Sequence, residues 1–270
     1  MAVTWKKISG LGALLALLCV SFGALAADEA EEKFRAKFFL EPTVALKFLD
    51  EKRSEIDLAE FSRRTNEGAK FAKWKTTGPK GEDIRTFVLL APLTAEQLAK
   101  AKAGEQAHNA KMQQFIGKPL AGFKLLDVEG KSVSNQDLLG RPTLINFYFA
   151  ECLPCIMETP MLNEYLGQRT DLRMLAVTFE DKAAIEKYNR KHKFTWRSLV
   201  DAQTFIDKTG VQAYPSFMLV DEKGLVKAVA TASEFPSMAN EFKYDSLQRK
   251  WLDDWVNRGL AATPTKQAAQ

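Results

Sequence analysis

Short apolar runs in the second half of the chain predict strands that are buried on both faces. One run extends from Thr143 to Phe149 and another from Met174 to Thr178, and both are almost wholly apolar. Continuous runs of this length are typical of the central strands of a covered sheet. A third run, Ser216 to Val220, is followed by the turn sequence DEKG and then by Leu225 to Ala230. That order predicts a β-hairpin.

The segments between and after these strands have helical character. A helix is expected to begin near residue 152, and Asp181 to Lys191 predicts another, because its acidic start and basic end complement the helix dipole. Strand, helix, strand, helix, hairpin and helix in this order predict an α/β fold with a mixed central sheet flanked by helices. The last helix is predicted from one apolar stripe, formed by Leu247, Trp251, Leu252, Trp255 and Val256.

The first part of the chain has a different pattern. Residues 28–68 are expected to be helical, with a break at Pro42 and a second segment that Asp57 can cap. The apolar positions that suggest helical spacing there are Phe34, Phe38, Val44 and Phe48.

A hairpin and a further helix are predicted next. Phe71 to Thr76 and Ile84 to Leu90 flank the turn-rich sequence GPKG. Thr94 with Gln97 is a capping-box pair for a helix that continues towards Met112.

These patterns divide the chain into four parts. They are a leader (1–26), a small α+β N-terminal region (27–112), a larger α/β domain (113–260) and a disordered tail (261–270). The N-terminal region contains no cluster of reactive side chains, which favours a structural or partner-docking role.

The first 26 residues have the layout of a secretory signal peptide. Lys6 and Lys7 precede an uncharged apolar stretch, and Ala24-Leu25-Ala26 provides a small-x-small cleavage pattern. Cleavage predicts a periplasmic protein. The alternative of an uncleaved membrane anchor remains open, because residues 8–27 are nearly long enough to span a bilayer.

Removal of the leader changes both the charge and the cysteine content. The net charge falls from +4 to +2, because the leader contains two lysines and no acidic residue. A mature charge near neutral argues against a nucleic-acid partner. Of the three cysteines, Cys19 leaves with the leader, and Cys152 and Cys155 remain.

Two cysteines three residues apart at the start of a helix suit thiol–disulfide exchange. Orphan backbone N–H groups and the helix dipole favour a thiolate on the first cysteine, and the second can resolve a mixed disulfide. Cys152 is therefore the predicted nucleophile and Cys155 the resolving thiol. A structural disulfide stays possible, although it closes a very small loop. Zinc would need two more ligands, so neither a metal nor a cofactor is predicted.

Three motifs in the same order make the span from Gly117 to about Ala230 resemble the TlpA/ResA-like (DsbE-like) branch of the thioredoxins. These are extracytoplasmic thiol–disulfide oxidoreductases, and the resemblance implies a thioredoxin-like fold. The motifs are GKP at 117–119 with FKL at 123–125 and GKSV at 130–133, NF at 146–147 with CLPCIMETP at 152–160, and GV at 210–211 with YPSF at 214–217.

The resemblance also implies roles for individual residues. Pro215 corresponds to a cis-proline that helps to align the substrate, with Tyr214 beside it. Glu158 corresponds to an active-site glutamate that transfers a proton or tunes a thiol pKa; the alternative is an exposed helix glutamate. Asn146 stands where thioredoxins proper keep a buried acid. Glu151 replaces the tryptophan that the family usually has before the first cysteine, so the substrate contact there is altered.

These implications predict an enzyme, a protein-disulfide reductase. Its dithiol is regenerated by a membrane thiol donor of the DsbD type. Glu151 favours this direction, because a carboxylate beside Cys152 disfavours the thiolate, and strong oxidants are those whose reduced form is stabilised. An oxidase or isomerase, and a Sco-like copper chaperone, remain alternatives. A peroxiredoxin is disfavoured, since those enzymes need a threonine where Phe149 stands.

Overall fold

The computed structural model of the chain describes residues 29–231, 234 and 246–261. The expected leader and residues 262–270 of the expected tail lie outside these ranges. The chain forms two compact units, with the division after Leu93. Within the described ranges, no helix combines the length and the apolar character needed to cross a bilayer.

The first unit is a four-stranded sheet with two described helices. The strands are ordered β2-β1-β4-β3, with β1 and β4 parallel and the other pairs antiparallel. The predicted hairpin is confirmed as β3 and β4. In chain order the elements are α1 (29–37), β1 (Ala45–Leu49), β2 (Glu55–Ile56), α2 (Leu58–Asn66), β3 (Phe71–Thr77) and β4 (Asp83–Leu89).

The prediction that residues 28–68 are helical is wrong for β1 and for β2, which pairs with it. Val44 and Phe48 are four residues apart, a spacing that places them on one face of a helix and also on one face of a strand. Both are buried, Leu46 between them is half-buried, and Ala45 and Lys47 are exposed, which is the alternation of a strand. The predicted cap is confirmed, because the Asp57 carboxylate accepts a hydrogen bond from the Glu60 N–H at 2.7 Å and starts α2.

The core of the first unit is built from phenylalanine. Neighbouring rings have centroids 4.6–6.0 Å apart, mostly tilted or edge-to-face, as aromatic quadrupoles prefer. Phe87 of β4 is fully buried and contacts all the others. The set is Phe34, Phe38, Phe48, Phe61, Phe71 and Phe87.

The second unit has a five-stranded sheet and a separate two-stranded hairpin. Its elements are α3 (Ala95–Gln113), β5 (Lys124–Leu126), β6 (Ser132–Ser134), a 3₁₀ helix (Asn135–Leu138), β7 (Thr143–Phe147), α4 (Leu153–Gln168), β8 (Arg173–Val177), α5 (Lys182–His192), β9 (Arg197–Leu199), α6 (Gln203–Thr209), β10 (Ser216–Val220), β11 (Val226–Thr231) and α7 (Ser246–Ala261).

The strand order of the large sheet is β11-β10-β7-β8-β9. Strands β7, β8 and β9 are parallel, whereas β10 runs antiparallel to both β7 and β11. A β-α-β crossover through α4 followed by a hairpin and α7 gives the thioredoxin-like arrangement that the sequence predicts. The predicted strands, the capping box of α3 and the stripe of α7 are confirmed, although the side chain of Leu247 lies outside the described part.

Side chains of successive residues in the central strands enter two different cores. Phe217 and Leu219 pack with α4, α5 and α7, while Met218 and Val220 pack with α3, α6 and the 3₁₀ helix. Helices therefore cover both faces of the sheet, which explains the unbroken apolar runs.

By its contacts α3 belongs to the second unit. Met112 is buried in the core on one face of the sheet, and Asn109 accepts a hydrogen bond from the Thr231 hydroxyl at 2.8 Å. The domain boundary at residue 112 that the sequence suggests stays a prediction.

Candidate functional site

The two cysteines form a disulfide at the start of α4. Cys152 is the N-cap residue, and its sulfur accepts a hydrogen bond from the Cys155 N–H at 3.3 Å. Pro154 lies in the first turn, where its missing N–H leaves no intrahelical bond unmade. The first sulfur thus lies at the positive end of the helix dipole, where a thiolate is favoured.

Both sulfur-bearing residues are nearly inaccessible. Cys152 is 4% exposed and Cys155 2% exposed, and their Cα atoms are 5.2 Å apart. Both belong to the core between the sheet and helices α4, α5 and α7. A partner must therefore approach the protein closely to reach either sulfur.

Glu158 lies one helical turn after Cys155 and is fully buried. Its carboxylate accepts a hydrogen bond at 3.0 Å from the side-chain amide of Asn146 on β7. The alternative of an exposed helix glutamate is thereby excluded. Glu158 follows Cys155 by three residues on α4, the spacing that places two side chains on the same face of a helix.

Two buried hydroxyl groups surround the backbone of Cys155, and sequence reasoning missed both. The Thr159 hydroxyl donates to the Cys155 carbonyl at 3.1 Å and lies 2.8 Å from the Tyr188 hydroxyl, which is 3.4 Å from the same carbonyl. Burial raises the pKa of Tyr188, the Thr159 hydrogen bond opposes this, and the Glu158 carboxylate adds to it. Tyr188 lies on α5, so no local signal in the sequence connects it with the cysteines.

Pro215 lies at the same edge of the sheet as the disulfide. The Tyr214–Pro215 peptide is cis, as the resemblance implies, and Pro215 is buried. Ser216, the first residue of β10, is paired with Phe147, the last residue of β7. The chain leaving β7 leads directly to Cys152, so Pro215 and the start of α4 share this edge.

Two acidic residues flank the segment that leads to the disulfide. Glu151 is exposed and immediately precedes Cys152. Glu180, which sequence reasoning missed, accepts a hydrogen bond from the Ala150 N–H at 2.6 Å. Burial raises the pKa of Glu180, the hydrogen bonds from Ala150 and Thr178 oppose this, and the Glu151 charge adds to it. The sequence feature that could have identified Glu180 is its position just beyond the carboxyl end of β8.

His192, at the end of α5, lies within the electrostatic reach of Glu151. Its ring packs against Tyr188 with centroids 4.8 Å apart. Burial, and then the neighbouring Lys191 charge, lower the pKa of His192 to about 4, although Glu151 acts in the opposite direction. The imidazole is therefore neutral near pH 7.

Among the described residues, no three His, Cys, Asp or Glu side chains gather in a way that could hold a metal ion.

Comparison with known proteins identifies the second unit. Residues 116–229 match the AhpC/TSA family. The chain is 30% identical over 122 residues to the thiol–disulfide oxidoreductase ResA of Geobacillus thermodenitrificans, covering 44% of this chain and 70% of ResA. It is 29% identical over 118 residues to the thioredoxin-like protein YneN of Bacillus subtilis, covering 42% and 69%. A solved thioredoxin domain of a thiol–disulfide oxidoreductase from Bacteroides vulgatus matches with a TM-score of 0.43 and 22% identity, covering 53% of this chain and 98% of that one.

The match to ResA extends over most of that protein, and the site has the same chemistry that the ResA name states. A disulfide at the first turn of a helix, at one edge of a thioredoxin-like sheet, is what such an enzyme requires. The chain belongs to the ResA-like family of thiol–disulfide oxidoreductases.

Proposed function

We propose that this oxidoreductase is exported to the periplasm and reduces disulfides in partner proteins. The observation that carries the proposal is the position of Cys152 at the N-cap of α4, with the Cys155 N–H directed at its sulfur. In the reduced enzyme the same N–H would stabilise a Cys152 thiolate, which is the attacking species in disulfide exchange.

The reaction has two steps. The Cys152 thiolate attacks one sulfur of the substrate disulfide, forms a mixed disulfide and releases the first substrate thiolate. The Cys155 thiolate then attacks the Cys152 sulfur, closes the enzyme disulfide and releases the second substrate thiolate. Two electrons pass from the enzyme to the substrate, and the disulfide described above is the oxidised product.

Glu158 is the proposed proton acceptor for Cys155. The second step requires the Cys155 thiol to lose its proton inside the core, where bulk water has little access. Glu158 follows Cys155 by three residues on α4, and the Asn146 amide fixes one of its oxygens at 3.0 Å. Glu158 therefore acts on the resolution of the mixed disulfide.

The substrate backbone is proposed to lie along Pro215, with Tyr214 and Glu151 as further contacts. The dithiol is then regenerated by a membrane thiol donor of the DsbD type. This donor follows from the compartment, because a protein exported by residues 1–26 cannot use cytosolic thiols and the periplasm is kept oxidising.

The direction of electron flow is tested by the reduction potential and by reduction of insulin. The wild-type protein is expected to reduce insulin disulfides, and Cys152→Ser to lose this activity. A potential near that of thioredoxin, about −270 mV, is expected; a value near about −120 mV, as in the strong periplasmic oxidant DsbA, would contradict the reductase and favour the oxidase.

Export is tested separately by cell fractionation. The full chain is expected in the periplasmic fraction with its first 26 residues removed, and a chain that lacks residues 1–26 in the cytoplasm. Full-length protein in the membrane fraction would instead support an uncleaved anchor.

A further inference from the structure

Three aromatic rings form a cluster next to the redox site, which we call the aromatic shelf: Phe149, Phe179 and Tyr214. Their centroids are 5.9 Å apart for Phe149 and Phe179, 5.4 Å for Phe149 and Tyr214, and 5.9 Å for Phe179 and Tyr214. Each ring therefore contacts the other two. The three residues come from the segments after β7, after β8 and before β10.

The shelf is continuous with the disulfide. The Phe149 carbonyl accepts a hydrogen bond from the Cys152 N–H at 3.1 Å. Phe149 and Tyr214 both pack against the core that contains Cys152 and Cys155. Because the parallel strands β7 and β8 end at the edge where β10 starts, the whole shelf lies at the edge of the disulfide.

The shelf is accessible. Phe179 is 36% exposed, and Phe149 and Tyr214 are half-buried. The other large apolar side chains exposed in the described part of the second unit are aliphatic. Phe179 is thus exposed, whereas the other phenylalanines described in this unit are buried wholly or in part. An exposed ring packed on two others offers a large apolar contact area at a small cost in side-chain entropy.

Three acidic residues lie next to the shelf in the chain: Glu180 and Asp181 directly follow Phe179, and Glu151 comes two residues after Phe149. Glu151 and Asp181 both contribute to raising the pKa of Glu180, in addition to its burial, and Asp207 adds to the effect of burial on Tyr214. His192 does not offset these charges near pH 7, because burial holds its pKa at about 4. The ammonium group of the neighbouring Lys182 lies 3.7 Å from the Glu186 carboxylate on its own helix.

We propose that the aromatic shelf binds the polypeptide segment that flanks the disulfide of the substrate, and that it prefers an apolar side chain next to a lysine or arginine. This inference rests on the proposed reduction of protein disulfides. Cys152 is 4% exposed, so a substrate sulfur can reach it only if the flanking residues of the substrate cover the adjoining surface. The rings provide the apolar contact, and the carboxylates attract a basic residue.

The test compares three disulfide-linked peptides that differ only beside the cysteine, which is flanked by Phe and Lys, by Phe and Glu, or by two serines. The reduced full-length enzyme is mixed with each peptide, and the exchange rate is followed by stopped flow. The Phe-Lys peptide is expected to react about tenfold faster than the serine peptide, and several-fold faster than the Phe-Glu peptide.

Variants locate the preference on the shelf. Phe179→Ser is expected to reduce the ratio of the Phe-Lys rate to the serine-peptide rate about fivefold, whereas Phe179→Leu, which stays apolar, keeps most of it. Leu126→Ser is the matched control, since Leu126 is also exposed, at 54%, but lies on β5 and outside the shelf. Circular dichroism verifies that each variant is folded.

The outcomes separate this inference from the proposed function. Equal rates for the Phe-Lys peptide and either other peptide, or an unchanged ratio in Phe179→Ser, would reject the proposed binding role of the shelf. The proposed reductase activity would not be affected by that result. If the wild-type enzyme reduces none of the three peptides, the proposed function is rejected instead.

Discussion

The two units of the chain bury different kinds of groups. In the first unit the core is a cluster of six phenylalanine rings, and the buried polar side chains among its described residues are Arg85 and Thr86. In the second unit the core on one side of the sheet contains the two cysteines, and four polar groups are buried on α4 and on the elements that pack beside it. Those polar groups are Asn146, Glu158, Thr159 and Tyr188, the last through its hydroxyl.

This difference shows where the chemistry of the chain is located. Burial of a polar group costs free energy unless a hydrogen bond replaces its water. In the second unit Asn146 donates to Glu158, and Thr159 and Tyr188 share a hydroxyl contact over the Cys155 carbonyl. These bonds reduce the cost, and they keep a carboxylate and two hydroxyl groups in the same unit as the cysteines. A core of rings stabilises a fold but offers no such group.

The largest expected effect concerns the phenylalanine core of the first unit. Phe87→Ala removes the ring that contacts the five others and should lower the free energy of unfolding of the first unit by about 3–5 kcal/mol. The rate at which the protein reduces a small disulfide should change by less than about twofold, because the redox groups belong to the second unit. Urea denaturation and a stopped-flow exchange assay measure the two quantities.

Leu93→Ala is the control for that variant, because Leu93 is 58% exposed and should alter neither quantity. A large loss of exchange activity in folded Phe87→Ala would contradict the view that the first unit takes no part in disulfide exchange.

The second prediction concerns the buried polar groups of the second unit. Glu158→Gln keeps the size of the side chain and a carbonyl that can accept from Asn146, but removes the group that takes a proton. We expect the second step, resolution of the mixed disulfide, to slow about 10²-fold, the usual contribution of a general base. The first step should be nearly unchanged. Mass spectrometry after rapid acid quench should therefore detect an accumulated mixed disulfide.

Glu164→Gln is the matched control, since Glu164 lies on the same helix with its side chain 55% exposed. Equal slowing of both steps in Glu158→Gln would indicate a structural role for the glutamate rather than proton transfer.

The parts of this site that the sequence predicted are those with local signals. The helix start at Cys152, the capping box of Thr94 and Gln97 and the strands of the large sheet each depend on neighbours a few residues away. Pro215 was predicted from a family motif rather than from physics, since a proline at a strand start is ordinarily trans.

The parts that the sequence did not predict depend on distant contacts. Tyr188 and Glu180 approach the cysteine segment only because α5 and the end of β8 pack beside α4 and β7. The strand β1 was mistaken for a helix because its apolar spacing fits both periods and only pairing with β4 decides between them. Long-range pairing of this kind leaves no trace in a single local pattern.

The third prediction uses pH to distinguish the two units. The pKa of His192 falls from 6.5 to about 4 on folding, so between these values the unfolded chain binds more protons than the folded one. The free energy of unfolding of the second unit should therefore decrease as the pH falls from about 6.5 to about 4. The full shift would correspond to about 3 kcal/mol, and partial exposure of the ring reduces the expected loss to about 1–2 kcal/mol.

His192→Gln should flatten this dependence in denaturation curves recorded at pH 7 and pH 4.5. The first unit provides an internal control, because residues 1–93 contain no histidine. Histidine titration should therefore not lower its free energy of unfolding over this pH range. An unchanged slope in His192→Gln would mean that other groups cause the acid sensitivity.

The smallest expected effect concerns the exposed carboxylate beside the nucleophile and bears on the direction of electron flow. Two influences oppose each other at Cys152: the N-terminus of α4 stabilises a thiolate, and Glu151 destabilises it. Glu151→Gln removes the second influence and so stabilises the reduced enzyme. The reduction potential should become less negative by on the order of 10 mV, since an interaction between exposed charges is weak in water.

Equilibration with glutathione at two salt concentrations measures this shift, which should diminish at high salt because exposed charges are screened. Glu129→Gln is the control, as an exposed glutamate of the same unit whose carboxylate lies 2.6 Å from the Lys131 ammonium group. A shift to a more negative potential would show that Glu151 supports the thiolate, and it would remove the argument that Glu151 favours the proposed reductase direction.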